Sequence, residues 1–217
     1  MFAQIIKQEI ERATATILEH SRFVQAAQQG LLKKEDVVRY LKNCLFVVRH
    51  TPIHLTQARE TAESQGLNEV ARFMANKWIE EKGHDAWAIA DLDSLNASPI
   101  VLIGEDITQA NQRLMEFVGT LAIQQPLNYI AYITFVEYFT VLAAPPFLLS
   151  LERSGIPRSS LSVIALHEEL DKEHVAEDLT VIAGLVESPE QQGRFLEVLL
   201  KTEELLNEHF NELAEDL

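Results

Sequence analysis

Apolar residues recur along the chain at helical spacing, and the few glycines and prolines fall between the long periodic segments. That pattern predicts a bundle of seven helices and no sheet. The first covers about residues 2–28, with Gly30 as a stop signal, and the second about 34–64, bent at Pro52. A third runs over about 68–95, followed by a connection at 96–104 and a fourth helix over about 106–123. Pro126 opens a fifth that passes through Glu137 towards Ala144. There Pro145 and Pro146 are expected to break or kink it, and Gly155–Ile156–Pro157 ends its continuation. A sixth covers about 159–186, and Ser188–Pro189–Glu190 starts the last, with proline and acid in the first turn. Residues 100–103 are apolar and β-branched, but they are short and have no partner run. Short connections imply antiparallel neighbours, so residues 1–217 read as a single-domain, all-α bundle.

Charge narrows the partners. Eighteen basic residues against 33 acidic ones give a net charge of -15. Phosphate binding needs clustered Lys and Arg, so nucleic acid is excluded, and docking on an anionic membrane is disfavoured. The apolar stretch at 139–151 is interrupted by prolines and reads as too short to span a bilayer. The single cysteine, Cys44, permits no intramolecular disulfide and no thiolate zinc site. With no secretory pattern at the start, a cytoplasmic location is expected. A homodimer is the default assembly.

The chemistry concentrates in three stretches. The sixth helix contains His167-x-x-x-Asp171-x-x-His174. At about 100° per residue, Asp171 lies about 40° from His167 and His174 about 20° to the other side. The trio shares its face with Ile164, Leu170 and Val175, so it projects from a core-facing stripe. Polar groups there are costly unless something satisfies them, and neutral imidazole and carboxylate are both iron ligands. The third helix carries Glu81 and His84, three apart and on one face. This Glu-x-x-His spacing is the one used in bundle di-iron sites, and Asp171/His174 repeat it with a shorter acid. Glu137 stands as a lone carboxylate in the run Tyr-Ile-Thr-Phe-Val-Glu-Tyr-Phe, and bridging two metal ions would satisfy it. Glu-x-x-His alone arises often by chance, and Glu137 alone could be a buried acid paired with Arg or Tyr. Together the three stretches offer three carboxylates and three imidazoles, which suits two iron ions.

Other residues read more blandly. Asp91 and Asp178 could orient the histidines, but a surface acid is the simpler reading of each. His50 and His54 are expected to be structural or surface residues, and His20 and His209 to face solvent. Thr134 and Val141 flank Glu137, in the pocket or in the core. Cys44 reads as a buried small hydrophobe.

The run Glu80–Glu81–Lys–Gly–His84–Asp85–Ala–Trp87, the Pro126-led helix with Glu137, and His167-x-x-x-Asp171-x-x-His174 resemble the motifs of the haem-oxygenase-like di-iron oxidases. The resemblance covers about residues 34–186. It implies a seven-helix, haem-oxygenase-like bundle that binds two iron ions through Glu81, His84, Glu137, His167, Asp171 and His174. It further implies O2 as co-substrate, a small organic substrate (amino acid, amine or fatty acid) and an external electron donor. Some relatives place the first Glu seven residues before the His, where this chain has Lys77. A chlamydial relative that sacrifices its own tyrosine carries a lysine ten residues after the middle Glu, where this chain has Phe147. A thiaminase-like hydrolase on the same scaffold, which would need a nucleophilic cysteine, and a non-catalytic iron-binding bundle are the rival readings.

Overall fold

The computed structural model describes residues 2–215 and 217. Among the described residues there are nine α-helices, one short 3-10 turn (Arg158–Ser160) and no strand. The helices are α1 (Phe2–His20), α2 (Arg22–Gln28), α3 (Lys34–Ser64), α4 (Asn68–Glu81), α5 (Asp85–Ser94), α6 (Gln109–Gln124), α7 (Pro126–Arg153), α8 (Ser162–Leu185) and α9 (Pro189–Glu212). Nine arise from seven expected segments because two of them are split. The first divides at the buried Ser21, which leaves helical geometry and caps α2 by accepting from the Val24 amide at 3.3 Å. The third divides at Lys82–Gly83–His84, where Gly83 takes a φ of 88°.

The second segment has the bounds its periodicity predicts, with Pro52 inside it. The last starts as predicted: the Ser188 hydroxyl accepts from the Gln191 amide, and the Gln191 side chain accepts from the Ser188 amide.

Pro145 and Pro146 do not end the fifth segment. Helix α7 continues through both to Arg153. The two prolines face solvent, while Ala143, Ala144, Phe147, Leu148 and Leu151 keep one buried face through and beyond them. Burial of that face offsets the hydrogen bonds that the prolines remove, a loss of about 3 kcal/mol or more at each. Unbroken, α7 is long and apolar enough to cross a bilayer, contrary to the expectation from residues 139–151, but more than half of its most apolar stretch is buried inside the bundle.

Helix α7 is the spine of the fold. It packs against α8 and α9 and also meets α1, α2, α3 and α6. One core cluster gathers Ile6 and Ile10 of α1, Val118 of α6, Tyr129 and Phe135 of α7, and Phe195 of α9. The other gathers Phe23 of α2, Leu41 and Leu45 of α3, Leu148 of α7, and Leu92 of α5. The start of α8 is fixed from α5. Both Asp91 carboxylate oxygens accept backbone amides, from Ser162 at 2.9 Å and Val163 at 2.8 Å, and the Ser162 hydroxyl also donates to Asp91. Asp91 is fully buried and caps α8, so the surface-acid reading is wrong. Neighbouring amides leave it no need to be charge-paired at the surface, and the cap sets where the His167–His174 face points.

Candidate metal centre

Glu81 is the last residue of α4, and His84 lies just beyond the break. The two do not share one continuous helix, as their spacing suggested. The turn at Gly83 nonetheless brings His84 Nδ1 to 3.2 Å from Glu81 Oε2. The His84 ring stacks on Trp87, with centroids 4.0 Å apart and planes 21° from parallel. That contact fixes the ring plane.

Helix α8 supplies the opposing side. His167 Nε2 lies 3.1 Å from His84 Nδ1 and 3.7 Å from Glu81 Oε2. Its other nitrogen, Nδ1, is 2.6 Å from the Val163 carbonyl, an acceptor, so Nδ1 carries the proton. Nε2 is therefore the ring nitrogen left to face Glu81 and His84. One turn on, Asp171 Oδ1 and His174 Nδ1 face each other at 3.4 Å, yet neither atom makes a hydrogen bond. Two buried polar atoms joined by a contact that lacks hydrogen-bond geometry are expensive.

Glu137 of α7 closes the group. Its Oε1 is 3.9 Å from His174 Nδ1. Ligand atoms of Glu81, His84 and His167 lie within 4.8 Å of one another, and so do those of Glu81, Glu137 and His174. The carboxylate common to both groups is Glu81, whereas the sequence pointed to Glu137 as the bridge. The reason is Lys77, whose ammonium donates to both Glu137 oxygens at 2.9 and 3.2 Å. Lys77 also lies 3.0 Å from Asp178 Oδ1 and 3.2 Å from Glu80 Oε2, and its side chain is only 4% exposed. Asp178, fully buried, also accepts from the Thr134 hydroxyl, so it is no surface acid and Thr134 belongs to the same polar nest. A lysine three residues before an exposed-looking acid pair gave no signal of burial in the sequence.

The electrostatics follow this layout. Burial disfavours the Glu81 charge, but His167 and His84 outweigh it and hold its carboxyl well below the usual range. Burial, reinforced by the Asp178 charge and only partly offset by Lys77, pushes Glu137 well above its ordinary value. Burial also raises Asp171, against the pull of His174 and His167. His167 is raised because hydrogen bonding to Glu81 and the charges of Glu81 and Asp171 overcome its burial.

Several bland readings change. His209 is buried, not solvent-facing, and its Nδ1 is 2.7 Å from the Thr108 hydroxyl; burial pushes the imidazole down to about 3. His20 is exposed, as expected. His50 bonds the Phe46 carbonyl, and His54 is buried edge-on to Tyr129, so both are structural. Leu170 is exposed and does not share the core-facing stripe.

A cavity of about 200 Å3 opens beside the cluster. Lys77, Glu81, Glu137, His167 and Asp171 line one part, while Val47, Val136 and Phe139 are among its apolar walls. His84 and His174 stand outside this lining. Cys44 packs against the second core cluster and also lines the cavity, and burial pushes its thiol up to about 12.

No family model matches the sequence, and no curated protein matches it either. Solved structures do match by shape. A domain of unknown function with a heme oxygenase-like fold from Shewanella denitrificans superposes with a TM-score of 0.86 at 14% identity, covering 98% of this chain and 92% of that one. A TenA homologue from Pseudomonas syringae pv. tomato gives 0.79 at 14% identity over 99% and 93%. A CADD-like protein of unknown function from Nostoc punctiforme gives 0.74 at 18% identity over 98% of each chain. At such identities the likeness speaks for architecture alone: the protein is an all-helical bundle of the haem-oxygenase-like fold.

Proposed function

We propose that the protein is an O2-dependent, non-haem di-iron oxidoreductase acting on a small organic substrate. The observation that carries this reading is the pair of carboxylate–histidine groups sharing Glu81 at the wall of a largely apolar cavity. The donor set fits iron, since imidazole nitrogen and carboxylate oxygen with no thiolate is the usual non-haem set. Asp171 Oδ1 and His174 Nδ1, buried 3.4 Å apart without hydrogen-bond geometry, are groups a cation would satisfy. Glu81, His84 and His167 would hold one ion, and Glu81, Glu137 and His174 the second, with Asp171 beside His174. Bound iron would supply the redox chemistry that oxygen activation requires.

The chain's own residues do the rest. The Val163 carbonyl fixes the His167 tautomer and keeps Nε2 available as a donor atom. Trp87 holds the His84 ring, and Asp91 holds the start of the helix that presents His167. Val47, Val136 and Phe139 give the cavity apolar walls that suit an apolar substrate body beside Glu81 and His167. An amino acid, an amine or a fatty acid remains the expected substrate class, with electrons from the substrate or an external donor.

The test is oxygen consumption by anaerobically iron-loaded protein across a panel of these compounds. Substrate-dependent uptake, lost in His167→Ala, is the expected result. Oxygen uptake indifferent to iron and to His167 contradicts the proposal.

A hydrolase of the thiaminase kind has one observation in its favour, the placement of Cys44 on the cavity wall. With its thiol pushed up to about 12, Cys44 is protonated at neutral pH and lacks the thiolate such chemistry uses. Thiamine turnover abolished by Cys44→Ser would establish that reading.

A further inference from the structure

The two halves of the cluster differ in one respect: the Glu137 half already contains a cation. Lys77 Nζ has three protons to donate, and Glu137, Asp178 and Glu80 all lie within 3.2 Å of it. Glu81, by contrast, is met by the imidazoles of His84 and His167, whose ring nitrogens can serve a metal ion as ligand atoms where an ammonium cannot. We infer that the Lys77 ammonium is the resident cation of the Glu137 position, so that the two metal positions are unequal. A divalent ion enters readily among Glu81, His84 and His167. A second ion among Glu81, Glu137 and His174 binds only against Lys77, which already occupies both Glu137 oxygens and repels an incoming positive charge. Lys77 is thus a positioning residue that sets the order in which the centre fills. The inference rests on the metal-centre reading above.

Two features make the competition direct. Lys77 is three residues from Glu80 and four from Glu81 on α4, so its ammonium is anchored on the same helix that supplies the shared ligand. Its stem is buried, with Nζ 5.7 Å from the centre of the Phe73 ring, so it has little freedom to swing into solvent when an ion arrives. Removing the ammonium would leave Glu137 and Asp178 as two buried carboxylates with a vacant charge requirement that a divalent ion can meet.

Anaerobic titration of the metal-free, full-length protein with Co2+ tests this, followed by visible absorption and by metal analysis after equilibrium dialysis. The wild type should bind one ion tightly and a second at least about tenfold more weakly. Lys77→Met should bring the second affinity to within a few-fold of the first, whereas Lys77→Arg should keep two unequal steps. Glu137→Gln should remove the weak step and leave the tight one; His84→Ala should remove the tight one. Equal wild-type steps, or a second step unchanged in Lys77→Met, overturn the inference while leaving the metal centre standing. Should Lys77→Met not fold, the wild-type and Glu137→Gln isotherms decide the matter. No Co2+ binding sensitive to His84 would overturn both the inference and the metal-centre reading.

Discussion

Asp91→Ala offers a sharp test of how the fold positions the site. The Asp91 carboxylate accepts the Ser162 and Val163 amides and the Ser162 hydroxyl at the start of α8. Loss of an N-cap costs about 1 kcal/mol and up to about 2. A hydrogen bond to a charged group is worth about 1.5–3 kcal/mol, and here two amides lose their acceptor together in a fully buried place. The sum is about 3 kcal/mol, because the energies of neighbouring bonds do not simply add. For a chain of this length each kcal/mol moves the midpoint by about 2–4 °C, so Asp91→Ala should melt roughly 6–12 °C lower. Asp91→Asn keeps the shape and one acceptor and should lose about half as much. Thermal and urea unfolding followed by circular dichroism measure both. A loss under about 0.5 kcal/mol in Asp91→Ala, no larger than the ordinary effect of a surface change, would refute the capping role.

Three further outcomes are expected. Gly83→Ala places a side chain at a φ of 88° and should cost about 1–2 kcal/mol; because that turn carries His84 to Glu81, Co2+ affinity should fall as well. Unchanged affinity would separate the turn from the site. Trp87→Ala frees the His84 ring and should weaken metal binding about 10-fold, measured below an unfolding midpoint that also falls because Trp87 packs against the second core cluster; an unaltered isotherm would deny the stacking a role. His209 stays neutral in the folded protein down to about 3 but titrates near 6.5 when unfolded. Its contribution to stability is complete above about pH 6.5 and is lost as pH falls, by about 2 kcal/mol at pH 5. Urea titrations of His209→Gln against wild type should show that slope disappear, and parallel pH profiles would contradict it.

The sequence made the ligand face legible because helical geometry is local. His167, Asp171 and His174 share a face whatever the rest of the chain does, and Glu137 stood out as a lone acid in an apolar run. Bringing α4, α7 and α8 to one point was an inference from motif order; the structure gathers Glu81, His84, Glu137, His167 and His174 into two overlapping groups, with Asp171 against His174 but in neither. What periodicity could not show was long-range. The break at Gly83 depends on a backbone angle that ordinary residues avoid, and the continuity of α7 through Pro145 and Pro146 depends on burial of the face opposite them. Asp91, Asp178 and His209 looked like surface groups because their partners lie in distant stretches: Ser162 and Val163, Lys77 and Thr134, and Thr108. Lys77 was visible only as a departure from a motif. Its burial among three carboxylates is a product of packing between α4, α7 and α8.

Crystals grown anaerobically with Fe2+ and measured on both sides of the iron absorption edge would test the centre most directly. An anomalous peak bounded by the side chains of Glu81, His84 and His167 is the predicted result. Iron bound elsewhere on the acidic surface, with this group of side chains unchanged and no peak between them, would contradict it.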